Sequence, residues 1–190
     1  ALLDAIAPER FVIGGSSLGG LVSWRYAAEH PDRVDGLALI SPGGYPNLGV
    51  GDEPAPVPAQ VRLFLTTAPA AGVQAATAAL YADPSRITEA QIDRIGALMR
   101  VEGVGEALVQ RIEQFTLPDP NPVLRTIEAP ALVIWGARDV MIPPTHGPRF
   151  AAAMPNAELV LIDDAGHMPQ EERPGSVAGA IQGFLEGRGR

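Results

Sequence analysis

One serine in the sequence lies in a setting that favours nucleophilic chemistry. Residues Gly15-Ser16-Ser17-Leu18-Gly19 have the pattern G-x-S-x-G, and they follow the apolar run Phe11–Ile13. A serine in a sharp turn between a strand and a helix exposes its hydroxyl at the end of a sheet, provided that its neighbours are small. We predict that Gly15 and Gly19 omit Cβ atoms that would collide in this turn. Ser17 is therefore the candidate nucleophile.

A serine hydroxyl needs a base to accept its proton, and the chain has only three histidines. His167 is the candidate base, because it follows a predicted strand and α/β proteins place their chemistry in such loops. His30 lies in a turn that ends a helix, where we predict a structural or surface role. His146 follows two prolines at a predicted helix start, where we predict a capping or surface role.

The acid that orients the base is also predicted just after a strand. Asp139 follows Gly136-Ala137-Arg138 at the end of the apolar run Ala131–Trp135, and it is the leading candidate. Asp163 and Asp164 lie closer to the histidine in sequence, but a solvated turn is the favoured interpretation for them. The order serine, acid, histidine differs from the orders in chymotrypsin-like and subtilisin-like enzymes. These three residues predict acyl transfer through an acyl-enzyme.

Four apolar runs are predicted to be the strands that position these residues. They are Arg10–Gly14, Gly36–Ser41, Ala131–Trp135 and Glu158–Ile162. Continuous apolar runs are typical of parallel strands that are covered on both faces. Helical patterns separate the runs, so the predicted fold class is α/β, with a parallel sheet flanked by helices.

Helix boundaries are indicated at three places. The helix after the serine turn is expected to end by His30, because Pro31 disfavours the α conformation in the residue before it. The segment Ala1–Ile6 has the pattern of a helix end. A last helix near Gly175–Glu186 is expected to pack on the sheet through Val177, Ile181, Phe184 and Leu185.

The middle of the chain differs from its flanks. It begins with a loop rich in proline and glycine and continues with helical patterns, and no strand is evident. Thr88 and Gln91 have the spacing of a capping box at the start of one of these helices. We predict that residues 46–126 form a helical cap or lid inserted into a core made of residues 1–45 and 127–190.

Composition excludes several classes of function. The net charge of −8 argues against a nucleic-acid surface, and no apolar run approaches the ~20 residues that cross a bilayer. The absence of cysteine excludes disulfides and thiolate nucleophiles. All fourteen basic residues are arginine, which excludes lysine Schiff bases and is typical of a GC-rich bacterial source. No cofactor and no metal are expected. We expect a cytoplasmic protein, although a signal peptide already removed would leave no trace.

The sequence resembles the α/β-hydrolase fold family over Phe11–Gly44, Ala129–Pro144 and Ala157–Leu185. The resemblance implies that Ser17 is the nucleophile, that Asp139 in Trp-Gly-Ala-Arg-Asp is the acid and that His167 in Gly-His-Met-Pro is the base. It also implies that the amide of Leu18 is one oxyanion donor. The expected activity is that of a serine hydrolase resembling carboxylesterases, with a small-molecule ester or related acyl substrate and no nucleic-acid or membrane partner.

The sequence also departs from the family, and two other functions stay open. Family members have further strands before the serine turn, and these strands supply a second oxyanion donor. We therefore expect an uncovered sheet edge that pairs with a missing amino-terminal segment or with a second copy. One alternative is a hydrolase of carbon–carbon bonds in meta-cleavage products, although such enzymes often have tryptophan where this chain has Met168. The other is a non-catalytic fragment or binding module with the same fold.

Overall fold

A four-stranded parallel sheet organises the part of the chain that the structure describes. The computed structural model describes residues 2–6 and 8–187. The strands are β1 (Phe11–Ser16), β2 (Val34–Ile40), β3 (Ala131–Gly136) and β4 (Ala157–Ile162), and their order in the sheet is β1-β2-β3-β4. The predicted α/β class is confirmed. Because all the strands run in one direction, the loops that follow them lie at the same end of the sheet.

Helices connect and flank these strands. They are α1 (Leu2–Ile6), α2 (Leu18–Glu29), α3 (Ala59–Thr67), α4 (Ala70–Ala78), α5 (Glu89–Met99), α6 (Val104–Gln114), α7 (Asn121–Leu124), α8 (His146–Ala153), α9 (Pro169–Glu172) and α10 (Pro174–Gly187), with a short 3-10 helix at Pro84–Arg86. Helix α2 ends before His30 and α10 spans Gly175–Glu186, both as predicted. Helix α1 agrees with the helix end predicted at Ala1–Ile6, of which the structure describes Leu2–Ile6 and not Ala1.

The segment between β2 and β3 is helical. In its described residues there is no strand, and the only β-type pairing is an isolated bridge between Asn47 and Val50. The predicted capping box of α5 is present. The Thr88 hydroxyl accepts from the amide of Gln91 at 3.3 Å, and the Gln91 side chain accepts from the amide of Thr88 at 2.8 Å. This segment has a small core of its own, formed by Val57, Leu65 and Val109.

Apolar side chains bury both faces of the sheet. Leu37, Leu39, Val133 and Trp135 pack with Leu21 and Trp24 of α2 and Phe150 of α8. On the opposite face, Leu132 and Ile134 pack against Val177 and Phe184 of α10. This two-sided burial of the central strands β2 and β3 explains the continuous apolar runs within them. One detail of the prediction is wrong, because Leu185 lies outside this packing and is 45% exposed.

Strand β1 lies at one side of the sheet. It pairs with β2, and no other described strand pairs with it. Its side chains alternate in exposure: Phe11 and Ile13 are half-buried, whereas Val12 is 39% exposed. Among the described strands β1 is therefore the outermost, and one of its faces is partly exposed at Val12.

Candidate active site

The turn between β1 and α2 holds Ser17 in an unusual backbone conformation. Its φ is 54° and its ψ is −116°, a combination that costs a non-glycine residue about 1–3 kcal/mol. Neighbouring backbone groups stabilise the turn. The amide of Ser17 donates to the carbonyl of Ile40 at 2.9 Å, and the carbonyl of Ser17 accepts from the amide of Gly43 at 3.0 Å. The loop after β2 thus fixes the position of the candidate nucleophile.

Close backbone contacts confirm that the turn requires glycine at one of the two predicted positions. A Cβ atom on Gly15 would lie 2.3 Å from the carbonyl carbon of Gly19, so a side chain is excluded there. The prediction for Gly19 is wrong, because a Cβ atom on Gly19 would meet nothing within 4 Å. The second close approach is at Gly20, where a Cβ atom would lie 2.8 Å from that of Pro42. Gly20 is buried beside this loop, whereas Gly19 is on the exposed side of α2.

The amide of Leu18 lies at a helix N-terminus. Leu18 is the first residue of α2, and a helix leaves its first amides without internal acceptors. The side chain of Ser17 does not cap this helix. The positive end of the helix dipole adds to the attraction for a negative oxygen at this position. The backbone can therefore stabilise an oxyanion that forms beside Ser17.

Asp139 and His167 form a buried pair. Oδ2 of Asp139 lies 2.8 Å from Nδ1 of His167, and the Asp139 side chain is fully buried. Oδ1 of Asp139 accepts from the amides of Met141 at 2.8 Å and Ile142 at 2.9 Å. Since an ionised carboxylate only accepts hydrogen bonds, Nδ1 carries a proton. In the neutral ring, Nε2 is then free to accept a proton from a nucleophile.

The structure relates the three candidate residues in two different ways. Asp139 and His167 are joined by a hydrogen bond, whereas Ser17 shares only the same end of the sheet with them. Among the described residues, no hydrogen bond joins the Ser17 hydroxyl to His167. The bond between nucleophile and base is often long before substrate binds. Asp163 and Asp164 are both exposed, and Asp164 forms an ion pair with Arg138 at 3.2 Å, as expected of a solvated turn.

The other two histidines have different environments. His30 is exposed after α2, with its ring centroid 4.4 Å from that of Tyr26, which agrees with the prediction. The prediction for His146 is wrong, because Thr145 is the cap of α8 and the imidazole is buried beside Tyr45. Nδ1 of His146 has no hydrogen-bond partner. Burial, reinforced by the guanidinium of Arg149, lowers the pKa of His146.

A buried glutamate that the sequence pattern does not reveal lies next to the candidate base. Glu172 is fully buried, although it lies within the charged run Glu171-Glu172-Arg173. Its Oε2 atom accepts from the amide of Gly166 at 2.6 Å and from that of Ala82 at 3.1 Å. Its Oε1 atom accepts from the amide of Asp83 at 3.0 Å. No local pattern distinguishes it from the exposed Glu171.

Several other kinds of site are not found in the part of the chain that the structure describes. No group of three or more histidine, aspartate or glutamate side chains there could hold a metal ion. No helix among residues 2–6 and 8–187 is long and apolar enough to cross a membrane. Two surface cavities of about 430 and 500 Å³ are present, and neither is lined by Ser17, Asp139 or His167.

Comparison with known proteins places this geometry in context. A family profile described as alpha/beta hydrolase fold matches residues 1–174. The chain is 32% identical over 188 residues to a dihydrolipoyllysine-residue acetyltransferase component of the acetoin cleaving system from Pseudomonas putida, covering 97% of this chain and 48% of that protein. It is also 32% identical over 193 residues to 2-hydroxy-6-oxononadienedioate/2-hydroxy-6-oxononatrienedioate hydrolase 1 from Dechloromonas aromatica, covering 97% and 65%. The chain thus spans about half to two thirds of these relatives.

Solved structures share the fold. The 2-hydroxy-6-oxo-6-phenylhexa-2,4-dienoate hydrolase from Rhodococcus sp. strain RHA1 superposes with a TM-score of 0.83 at 22% identity, covering 97% of this chain and 67% of that one. A serine hydrolase from Cycloclasticus zankles, a bacterium that degrades polyaromatic hydrocarbons, gives a TM-score of 0.76 at 26% identity, covering 98% and 67%.

Proposed function

The chain belongs to the α/β-hydrolase fold family, and we propose that it hydrolyses carboxylic esters with Ser17, His167 and Asp139 as its catalytic triad. The observation that carries the proposal is the 2.8 Å hydrogen bond between Asp139 and His167, at the same end of the sheet as the strained turn of Ser17. A base held by a buried acid, at the same end of the sheet as a half-buried serine in a strand–helix turn, is what nucleophilic acyl transfer requires.

The proposed reaction has two steps. In the first, Oγ of Ser17 attacks the ester carbonyl while Nε2 of His167 takes the hydroxyl proton and then gives it to the leaving alkoxide oxygen. In the second, His167 takes a proton from water, which attacks the acyl-enzyme and releases the acid, and the serine regains its proton. Asp139 holds the imidazole and stabilises its charged form. The amide of Leu18 donates to the oxyanion of each tetrahedral intermediate.

The helical residues 46–126 are proposed to cover this site as a cap, over a core of residues 1–45 and 127–190. The support is a contact between the helical segment and the loop of the candidate base. The amide of His167 donates to the carbonyl of Leu80 at 2.8 Å. A Cβ atom on Gly166 would lie 2.7 Å from the amide nitrogen of Ala82, so the two backbones touch. A small-molecule acyl substrate would bind between cap and core.

A second candidate is hydrolysis of carbon–carbon bonds in meta-cleavage products. It is favoured by the 32% identity to the Dechloromonas aromatica hydrolase of 2-hydroxy-6-oxononadienedioate. Met168, which stands where such enzymes often have tryptophan, favours the ester reaction. The two candidates separate in one experiment that offers a nitrophenyl ester and a 2-hydroxy-6-oxo-dienoate to the same preparation. Turnover of the dienoate alone would replace the ester proposal.

The decisive test of the ester proposal is hydrolysis of p-nitrophenyl butyrate by the wild type and by Ser17→Ala. The matched control is Ser16→Ala, because Ser16 is the adjacent serine and its buried hydroxyl has no hydrogen-bond partner. We expect activity in the wild type and the control, and its loss in Ser17→Ala. Equal rates from wild type and Ser17→Ala would reject the enzyme proposal in favour of a non-catalytic module.

Covalent labelling tests the triad more directly. A fluorophosphonate reacts with an activated serine, so wild type should be labelled rapidly at Ser17, and His167→Ala only at a small residual rate. Labelling of His167→Ala at the wild-type rate would assign the base to another residue.

The outer edge of β1 is proposed as a pairing surface for a further strand, from another segment of the protein or from a second copy. The support is that β1 pairs on one side only and exposes Val12. Unpaired backbone groups on an edge strand readily pair with another chain. Separately, we propose that the protein is located in the cytoplasm, and cell fractionation tests this location.

A further inference from the structure

Glu172 is a fully buried acidic residue, and both oxygens of its side chain accept hydrogen bonds. Its side chain and backbone are fully buried, and it closes helix α9. A buried carboxylate is stable only when hydrogen bonds replace its lost water. Three backbone amides, those of Gly166, Ala82 and Asp83, fulfil this role at 2.6, 3.1 and 3.0 Å. The three bonds therefore form one arrangement that depends on this carboxylate.

The three donors come from two separate parts of the chain. Gly166 immediately precedes His167, whereas Ala82 and Asp83 belong to the helical segment between β2 and β3. The short 2.6 Å bond connects the carboxylate to Gly166. Another bond, from the amide of His167 to the carbonyl of Leu80, joins the same two parts. Glu172 thus fastens the loop of the candidate base to the helical segment.

We propose that Glu172 is a positioning residue for His167. Its carboxylate fixes the peptide of Gly166, and this peptide sets the direction in which the imidazole leaves the backbone toward Asp139. In the described chain no hydrogen bond joins the Glu172 carboxylate to the imidazole, so its proposed action on the reaction is through the geometry of the loop. The inference rests on the proposed function, because positioning matters only if His167 is the base.

Glutamine cannot reproduce this arrangement. Oε2 of Glu172 accepts two amides and Oε1 accepts one, so both oxygens are occupied. In Glu172→Gln one of these oxygens becomes an NH₂ group, which would face at least one N–H donor without an acceptor. At least one hydrogen bond to a charged group is lost, and the loop is free to shift. A small displacement of a catalytic group lowers its rate by about 10- to 100-fold.

The experiment compares steady-state kinetics of wild type, Glu172→Gln and the matched control Glu158→Gln. Glu158 is an exposed glutamate at the far end of β4, so its variant makes the same chemical change without the loop contacts. For Glu172→Gln we expect kcat to fall by about 10- to 100-fold with KM nearly unchanged. We expect the control to stay close to wild type. A kcat for Glu172→Gln equal to that of the control would overturn the proposal.

A double variant separates positioning from general damage. If Glu172 acts through His167, adding Glu172→Gln to His167→Ala should not lower the residual rate of fluorophosphonate labelling further. Multiplication of the two losses would show that Glu172 acts independently of the base and would overturn the proposal.

Hydrogen exchange gives a readout that needs no activity. In the wild type, the amides of Gly166, Ala82 and Asp83 should exchange slowly and with similar protection factors, because one carboxylate holds them. In Glu172→Gln their exchange should accelerate, while amides of α10 are unchanged. Rapid exchange of Gly166 in the wild type would overturn the proposal even if Glu172→Gln failed to fold. A wild type without Ser17-dependent turnover would reject the proposed function and leave this exchange test standing.

Discussion

Replacing Asp139 by asparagine tests whether Asp139 determines which ring nitrogen of His167 carries the proton. Asparagine has nearly the same shape, but one carboxylate oxygen becomes an amide nitrogen that donates hydrogen bonds. Oδ1 of Asp139 accepts from the amides of Met141 and Ile142. The asparagine oxygen is expected to keep this position, because the NH₂ group there would face two donors. The NH₂ group must then point at Nδ1 of His167.

This orientation reverses the direction of the hydrogen bond to His167. The amide donates to Nδ1, so the proton of the neutral imidazole moves to Nε2, which can no longer accept the proton of Ser17. The same exchange in serine proteases lowers kcat by about 10⁴-fold. That factor corresponds to about 5 kcal/mol of lost transition-state stabilisation. We expect a loss of this size for Asp139→Asn, with the fold preserved.

The assay is steady-state hydrolysis of p-nitrophenyl butyrate near neutral pH, with circular dichroism to verify folding. Asp163→Asn is the matched control, because Asp163 is an exposed aspartate after β4 and should leave the rate unchanged. A folded Asp139→Asn variant that retains more than a tenth of the wild-type kcat would refute this account of the pair.

The remaining predictions concern stability and association. Gly15→Ala should lower the free energy of unfolding in urea by about 1–3 kcal/mol, because its Cβ would collide with Gly19. Gly19→Ala should leave that energy unchanged or raise it by up to ~1 kcal/mol, and equal effects of the two variants would contradict the model of the turn. The pKa of His146 is lowered in the folded protein, so on acidification the unfolded chain binds a proton before the folded chain does. The free energy of unfolding should therefore be highest above about pH 6.5 and should fall as the pH drops from there through the pKa of the folded state. His146→Phe should flatten this decline in melting temperature, and identical pH profiles would assign the decline to other groups. If the edge of β1 pairs with a second copy, sedimentation velocity should show concentration-dependent association that Val12→Lys weakens. A wild-type monomer at all concentrations would exclude pairing between copies.

Patterns that local chemistry dictates were predictable from sequence. Continuous apolar runs mark strands buried on both faces, and β3, with Leu132 and Val133 packed on opposite faces, shows why. The capping box at Thr88 depends on residues three apart, so the sequence alone locates the start of α5. The pairing of Asp139 with His167 could be predicted because both follow parallel strands, and β3 and β4 turned out to be neighbours.

Features that depend on tertiary neighbours were not predictable. Glu171 and Glu172 are adjacent and identical, yet one is exposed and the other is buried by the amide of Gly166 and by the helical segment. His146 has the sequence surroundings of a helix start, but the Tyr45 ring that buries it comes from a distant loop. The close contact at Gly20 depends on Pro42, which follows another strand. In each case a residue distant in sequence decides whether the side chain is buried or the backbone is closely packed.

The division of the candidate site between two β–α–β units has a consequence for folding. Ser17 belongs to the unit β1-α2-β2, whereas Asp139 and His167 belong to β3-α8-β4, and the pairing of β2 with β3 joins the two sheet halves. Each unit is built from contacts close in sequence. Pairing β2 with β3, however, costs the loop-closure entropy of the long helical segment between them. The reactivity of Ser17 is therefore expected to appear after most secondary structure has formed. During refolding, fluorophosphonate labelling should lag behind the recovery of the helical circular dichroism signal.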